Sequence, residues 1–329
     1  MYCFICYRKA EIDVRQKWIF ILRTGLLAAA LFFVSGSVYG QQIAYAKGSL
    51  PPIVSTDWLE ANGDLENLVI IDIRSSAEYE AGHIGNAINV PFEFPISAWI
   101  TMRDGLFLEL PEKDDLFNTI GSIGITKHSL VVIVTVGPTE PPYPLANATR
   151  VADTLIYAGV KNVTILDGGY AKWAAEGRPT TTDVPVVDPV TYKGQVDKKM
   201  FVPIEYVKEQ VDKNDGKSII IDARDANVYS GEVIEPWTDK PGHIPTAKSL
   251  PTVWIWNEDG TYKSKEALQE MASAVVGDKK NEEIIVYCGV GGYASSWWYV
   301  LTEVLEYKKV KIYDGAAQEW GIYYDMVLD

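Results

Sequence analysis

The pattern of apolar and polar positions divides the chain into two similar series of short buried runs. In the first series residues 68–73, 130–136 and 163–166 are rich in β-branched side chains and almost continuously apolar; in the second, residues 218–221, 283–287 and 310–313 are. Runs this short and this free of polar alternation predict strands covered on both faces. Between them, residues 148–158 and 294–307 have the length and spacing of helices lying on such a sheet. Strands alternating with helices predict an α/β fold of two domains, each a parallel sheet flanked by helices on both faces.

The two series are one unit written twice. Ile70-Ile71-Asp72-Ile73-Arg74 returns 150 residues later as Ile220-Ile221-Asp222-Ala223-Arg224. Glu78-Tyr79, Gly82-His83-Ile84, Ala87 and Pro91 are answered by Val228-Tyr229, Gly242-His243-Ile244, Ala247 and Pro251, with an insertion in the second copy between Tyr229 and Gly242. Asp167-Gly168-Gly169 followed by Trp173 is matched by Asp314-Gly315-Ala316 followed by Trp320. A period this long means duplicated domains and not a solenoid. The domains are expected at residues 50–180 and 200–329, joined by a linker at 181–199 that holds Pro185 and Pro189.

Composition agrees with this picture: 329 residues, 47% of them apolar, are enough for two ordinary cores. The formal net charge of -14, with no cluster of Lys and Arg after residue 50, excludes a general nucleic-acid binder. Residues 1–46 differ from the rest. Arg8, Lys9, Arg15, Lys17 and Arg23 precede the apolar run 26–34, and Ala44 and Ala46 offer cleavage before Lys47, with Gly40 as a second site. This segment is expected to be a signal peptide, or else an N-terminal anchor through residues 18–34. Either implies export, to the periplasm in a Gram-negative cell. Cys3 and Cys6 fall within it, which leaves Cys288 as the one cysteine of the exported part. The three His of the chain are not spaced with other ligands, so no metal site and no cofactor are expected.

Cys288 directly follows the strand run 283–287, and the carboxyl ends of parallel strands are where ligands gather. After it come Gly289, Val290, Gly291, Gly292 and Tyr293, leading into an apolar helix with Trp297 and Trp298. A structural cysteine at a strand end needs no glycines behind it. A glycine-rich loop can curl until its backbone N–H groups face the sulfur, and the start of the next helix adds its dipole. The expectation is a lowered thiol pKa and a stabilised thiolate or persulfide.

With these landmarks in this order, twice over, the chain resembles the tandem-domain rhodanese sulfurtransferases (the thiosulfate / 3-mercaptopyruvate sulfurtransferase family). The resemblance covers nearly all of the chain after the leader. It implies a catalytically silent first domain and an active second one, and Thr135 indeed stands where the second domain has Cys288. The loop after Thr135 carries Pro138, Pro141, Pro142 and Pro144, and so lacks several N–H donors. It is read as an altered loop that covers or shapes the neighbouring cleft, or as a decayed surface loop. The family mechanism implies that Cys288 takes sulfur from a small anionic donor such as thiosulfate or 3-mercaptopyruvate, forms a persulfide, and hands it to cyanide or a thiol.

Thiosulfate-specific relatives place basic residues straight after the cysteine, where Gly289 and Val290 stand here, and mercaptopyruvate-type relatives carry a hydroxyl at the position of Val290. The partners of that hydroxyl would correspond to Asp72 and His83. Arg224 matches an arginine that positions the donor, whereas Val228 replaces another. Asp222 with Arg224 is read first as a buried ion pair, because the same spacing recurs as Asp72 with Arg74 in the silent domain. His83 and His243 are read as satisfied structural histidines, and Trp297 and Trp298 as packing residues. A phosphatase of this fold would need Arg at Ala294. The remaining alternative is a module that binds or relays sulfane sulfur for an exported acceptor protein.

Overall fold

The computed structural model describes residues 50–328. The leader proposed at residues 1–46 lies outside the described residues, and among these no helix is long and apolar enough to cross a membrane.

Strands β1 (Ile53–Val54), β2 (Leu68–Asp72), β3 (Ala87–Asn89), β6 (Leu130–Val134) and β7 (Asn162–Leu166) form a parallel sheet in the order β1-β7-β6-β2-β3, while β4 (Thr101–Arg103) and β5 (Leu106–Glu109) form a separate antiparallel hairpin. Strands β8 (Phe201–Val202), β9 (Ser218–Asp222), β10 (Lys248–Ser249), β11 (Glu283–Tyr287) and β12 (Lys309–Tyr313) form the second parallel sheet. Read from its first strand, its order is β8-β12-β11-β9-β10, the same winding as the first. The repeat is thus a repeat of topology as well as of motifs, and β6 and β11 are the equivalent central strands.

The unbroken apolar runs are explained by where alternate residues go. On β2 and β6, Ile71, Val131 and Ile133 face one core, and Ile70, Val132 and Val134 face the other. The second sheet divides in the same way, with Ile221, Ile284 and Val286 on one side and Ile220, Ile285 and Tyr287 on the other. One apolar cluster joins the inner faces of both sheets through the helix Tyr143–Tyr157 and the helix Gly292–Tyr299. The two domains therefore share a core. Each fully buried aliphatic side chain in it contributes about 1.5–3 kcal/mol, so separating the domains would expose a large apolar area.

The first of these helices starts earlier than the sequence pattern predicts. Pro142 and Pro144 occupy its cap and first turn, where the missing N–H costs no hydrogen bond. The prolines therefore initiate a helix and shorten the irregular loop after Thr135. The second helix continues Gly292–Tyr299 into a π-helical turn, Val300–Val304. Residues 182–199 form no helix or strand, yet the segment is tied down: Val190 N–H donates to Gly121 O, Asp197 N–H donates to Tyr157 O, and Tyr192 is buried.

Candidate active site

Cys288 directly follows the central strand of the second sheet and is 3% exposed. The chain then turns sharply. Gly291 adopts φ 94°, a left-handed conformation that a side chain would disfavour, and its N–H donates to Cys288 Sγ at 3.1 Å. The N–H groups of Val290 and Ala294 also point to the sulfur. The expected cradle is present, but the expected pKa shift is reversed. Burial pushes the thiol from 9.0 up to about 11; the backbone donors oppose the rise and the Glu235 carboxylate adds to it. Withdrawal from water outweighs three neutral donors. The resting site therefore holds a thiol, and its donors are placed for an anionic sulfur that arrives or forms later.

Above the sulfur lies a cavity of about 450 Å³, lined from both domains. The second domain contributes Cys288, Gly289, Val290, Gly292, Tyr293, Asp225, Glu235 and Trp237. The first contributes Phe92, Phe94, Leu108, Pro141, Tyr143, Ala146 and Asn147. Tyr143 and Tyr293, one from each domain, pack against each other with ring centroids 5.7 Å apart. Phe94 and Trp237 are 5.8 Å apart, and Phe107 packs against both at 5.3 and 5.6 Å. Pro141 and Tyr143 show that the proline-rich segment of the first domain does shape the cleft. Among the described residues, no Lys or Arg lines the cavity, while Asp225 and Glu235 both do.

Glu235 and Trp237 were not legible as site residues from the repeat. Both come from the insertion at residues 230–241, whose only sequence signal is its absence from the first copy. Glu235 packs close to this loop: a Cβ on Gly289 would sit 2.6 Å from its Oε2, a contact the end of the Glu235 side chain can relieve by moving. Burial pushes the Glu235 carboxyl up to about 7, opposed by Arg224, whose Nη1 is 3.5 Å away.

The supporting residues separate into two groups. Arg224 is 1% exposed; its Nη2 donates to Asp222 Oδ2 at 2.5 Å and to Gly242 O at 2.7 Å. The pair ties the strand end to the following loop and approaches the cavity only through Glu235. Asp72 makes the same pair with Arg74 in the first domain, at 2.6 Å. His83 is stacked on Tyr79 at 3.7 Å, with Nδ1 2.9 Å from Tyr79 O and Nε2 3.1 Å from Asp183 O. Neither Asp72 nor His83 lines the cavity. Thr135 donates its hydroxyl to Pro144 O at 2.8 Å. Trp297 and Trp298 are buried, and their indole N–H groups donate to Pro251 O and Val310 O.

The repeated Asp-Gly motif proves to be an interdomain latch. Asp167 of the first domain accepts from Tyr262 N–H of the second at 2.8 Å, and Asp314 of the second accepts from Leu110 N–H of the first at 3.2 Å. Asp314 also binds Arg150, a fully buried arginine of the first domain, at 2.7 Å. The residues after Asp314 hold the active loop directly: Ala317 N–H donates to Cys288 O at 2.9 Å and Gln318 N–H to Gly289 O at 3.1 Å. The Gln318 side chain in turn bonds both backbone groups of Phe107, at 3.0 Å each. The loop is thus positioned from the first domain as well as from its own.

Comparison with known proteins agrees with this architecture. The profile of the Rhodanese-like domain matches residues 55–176 and 204–322. The Sulfur carrier protein TtuD of Thermus thermophilus is 30% identical over 82% of this chain and 93% of its own length. A "Putative thiosulfate sulfurtransferase" of Haloferax volcanii is 31% identical over 84% of this chain and 94% of its own. Among solved structures, wild-type EanB superposes with a TM-score of 0.69 at 22% identity, over 84% of this chain and 69% of that one. A complex of an EanB variant with hercynine gives 0.70 at 21% identity, over 84% and 70%.

Proposed function

This chain belongs to the rhodanese-like sulfurtransferase family, with two such domains, and from that premise we propose that Cys288 carries sulfur as a persulfide between a small donor and a small acceptor. The observation that carries the proposal is the sulfur itself. Cys288 Sγ lies at the floor of an interdomain cavity, with the backbone N–H groups of Val290, Gly291 and Ala294 turned toward it.

In the first half-reaction the thiolate attacks the outer sulfur of a donor such as thiosulfate, or the sulfur of 3-mercaptopyruvate. A bond forms between Sγ and that sulfur as the donor's S–S or C–S bond breaks with its electron pair; sulfite leaves, or the enolate of pyruvate, which takes up the proton the mercaptopyruvate thiol has lost. The N–H groups then face a persulfide, whose negative charge they stabilise without reorganising. In the second half-reaction cyanide or a thiol attacks the outer sulfur, and the electron pair of the broken bond returns to Sγ. The names of the curated relatives support thiosulfate as one donor, and a structure of an EanB variant with a cysteine persulfide supports the intermediate. The leader read in residues 1–46 would place this chemistry outside the cytoplasm.

The test is steady-state transfer from thiosulfate or 3-mercaptopyruvate to cyanide. The expected result is a ping-pong pattern that Cys288→Ser abolishes; turnover persisting in that variant would sink the proposal. A relay role is the second reading, supported by the relative named as a sulfur carrier. In that case the persulfide forms stoichiometrically but turns over slowly with free acceptors.

A further inference from the structure

The charge of the cavity wall is opposite to what an inorganic anion requires. Asp225 stands at the exposed rim and Glu235 deeper, beside Gly289. Glu140 lies close enough to push the Asp225 carboxyl further up, after burial. Arg224, the cation nearest in sequence to Asp225, is committed to Asp222 and Gly242 O and lies behind Glu235. Among the described residues, none of those lining the cavity carries a positive charge. A divalent donor such as thiosulfate would meet carboxylates on this wall and favourable donors only at the sulfur itself, from the N–H groups of Val290, Gly291 and Ala294.

The rest of the wall is aromatic. Tyr143 packs against Tyr293, and Phe94 and Trp237 form a second pair. Aromatic faces attract a cation through their quadrupole, and a carboxylate on the same wall adds to the attraction. The overall net charge of -14 draws cations toward the protein and repels anions before any contact is made. A cationic group beside Glu235 would also offset the smaller, electrostatic part of the rise that burial imposes on the Cys288 thiol.

Resting on the sulfur-transfer reading above, we propose that the acceptor discharged at Cys288 is a small organic molecule carrying a positive charge, held between the Asp225–Glu235 carboxylates and the Phe94, Tyr143, Trp237 and Tyr293 rings. For a thiol acceptor the chemistry balances without any further reagent. The acceptor thiolate attacks the outer sulfur of the persulfide and a new sulfur–sulfur bond forms. The bond to Sγ breaks with its electron pair, and Sγ takes up the proton that the acceptor lost. The product is an organic hydropersulfide.

The experiment uses three thiols of similar length and different charge. The purified protein is loaded with inorganic polysulfide, and loss of the added mass of about 32 Da is timed with cysteamine (cationic), 2-mercaptoethanol (neutral) or 3-mercaptopropionate (anionic). Because the thiols differ in intrinsic reactivity, the quantity read is the cysteamine to 3-mercaptopropionate rate ratio relative to that of Asp225→Asn/Glu235→Gln. The wild-type ratio is expected to exceed the variant's by about tenfold or more. In wild-type protein the same ratio should fall about threefold between about 0.02 and 0.5 M salt, a measurement that needs no variant to fold. Equal ratios in wild type and variant, or a ratio indifferent to salt, would overturn the charge inference while leaving sulfur transfer standing. Failure of Cys288 to take up sulfur at all would overturn both.

Discussion

Replacing Arg150 tests whether the first domain holds the loop that follows Cys288. Arg150 is fully buried; its Nη1 donates to Asp314 Oδ1 at 2.7 Å, and its Nη2 donates to Asp314 Oδ2 at 3.2 Å and to Leu108 O. In Arg150→Met the stem can still pack, but Asp314 keeps only the Leu110 N–H among these donors and remains largely buried. Breaking one side of a buried pair costs about 3–5 kcal/mol, most of it from the stranded charge. Removing both charges together in Arg150→Met/Asp314→Leu should recover about half of that loss. The assay is urea unfolding followed by tryptophan fluorescence, with the rate of sulfur loading at Cys288 measured in parallel. Loading should slow in both variants, because Asp314 leads into the Ala317 and Gln318 N–H groups that bind the loop carbonyls. A single-variant cost below about 1 kcal/mol, or a double variant no more stable than the single, would refute the reasoning.

Two further predictions concern the sulfur and its loop. With the thiol pushed up to about 11, thiolate is the minor form at neutral pH, and its fraction rises about tenfold per pH unit below that value. The loading rate measured by stopped reaction between pH 7 and 10 should therefore climb with a slope near one, and a plateau already reached near pH 7 would contradict the burial argument. Gly291→Ala forces a side chain into a φ of 94° and places its Cβ 3.1 Å from Asp314 Oδ1. It should cost about 1–2 kcal/mol in the same unfolding assay and also slow loading. Gly289→Ala meets only the end of the Glu235 side chain, so it should cost less stability while changing the cavity.

The parts of this protein legible in its sequence are those that recur within it. The unbroken runs at 130–134 and 283–287 identify central strands because both faces are covered, and the paired motifs order the two sheets identically. Cys288 is legible as a candidate because a strand, a cysteine and glycines are contiguous. What is not legible depends on approach between distant segments. Nothing local marks Arg150 as the partner of Asp314, since an arginine within a helix is ordinarily a surface residue. The insertion at 230–241 is visible only as extra length, and its delivery of Glu235 and Trp237 to the cavity follows from how the chain returns to Gly242. The direction of the Cys288 shift fails for a related reason. The donors can be inferred from glycines, whereas the desolvation that outweighs them comes from a wall built by both domains.

The central claim, that Cys288 is the sulfur carrier, is tested most directly by the intact mass of the purified protein after incubation with thiosulfate or 3-mercaptopyruvate. The account predicts a gain of about 32 Da that maps to the peptide containing Cys288, disappears on addition of cyanide or a thiol, and is absent in Cys288→Ser. An unchanged mass with both donors, or an adduct that survives in Cys288→Ser, would contradict it.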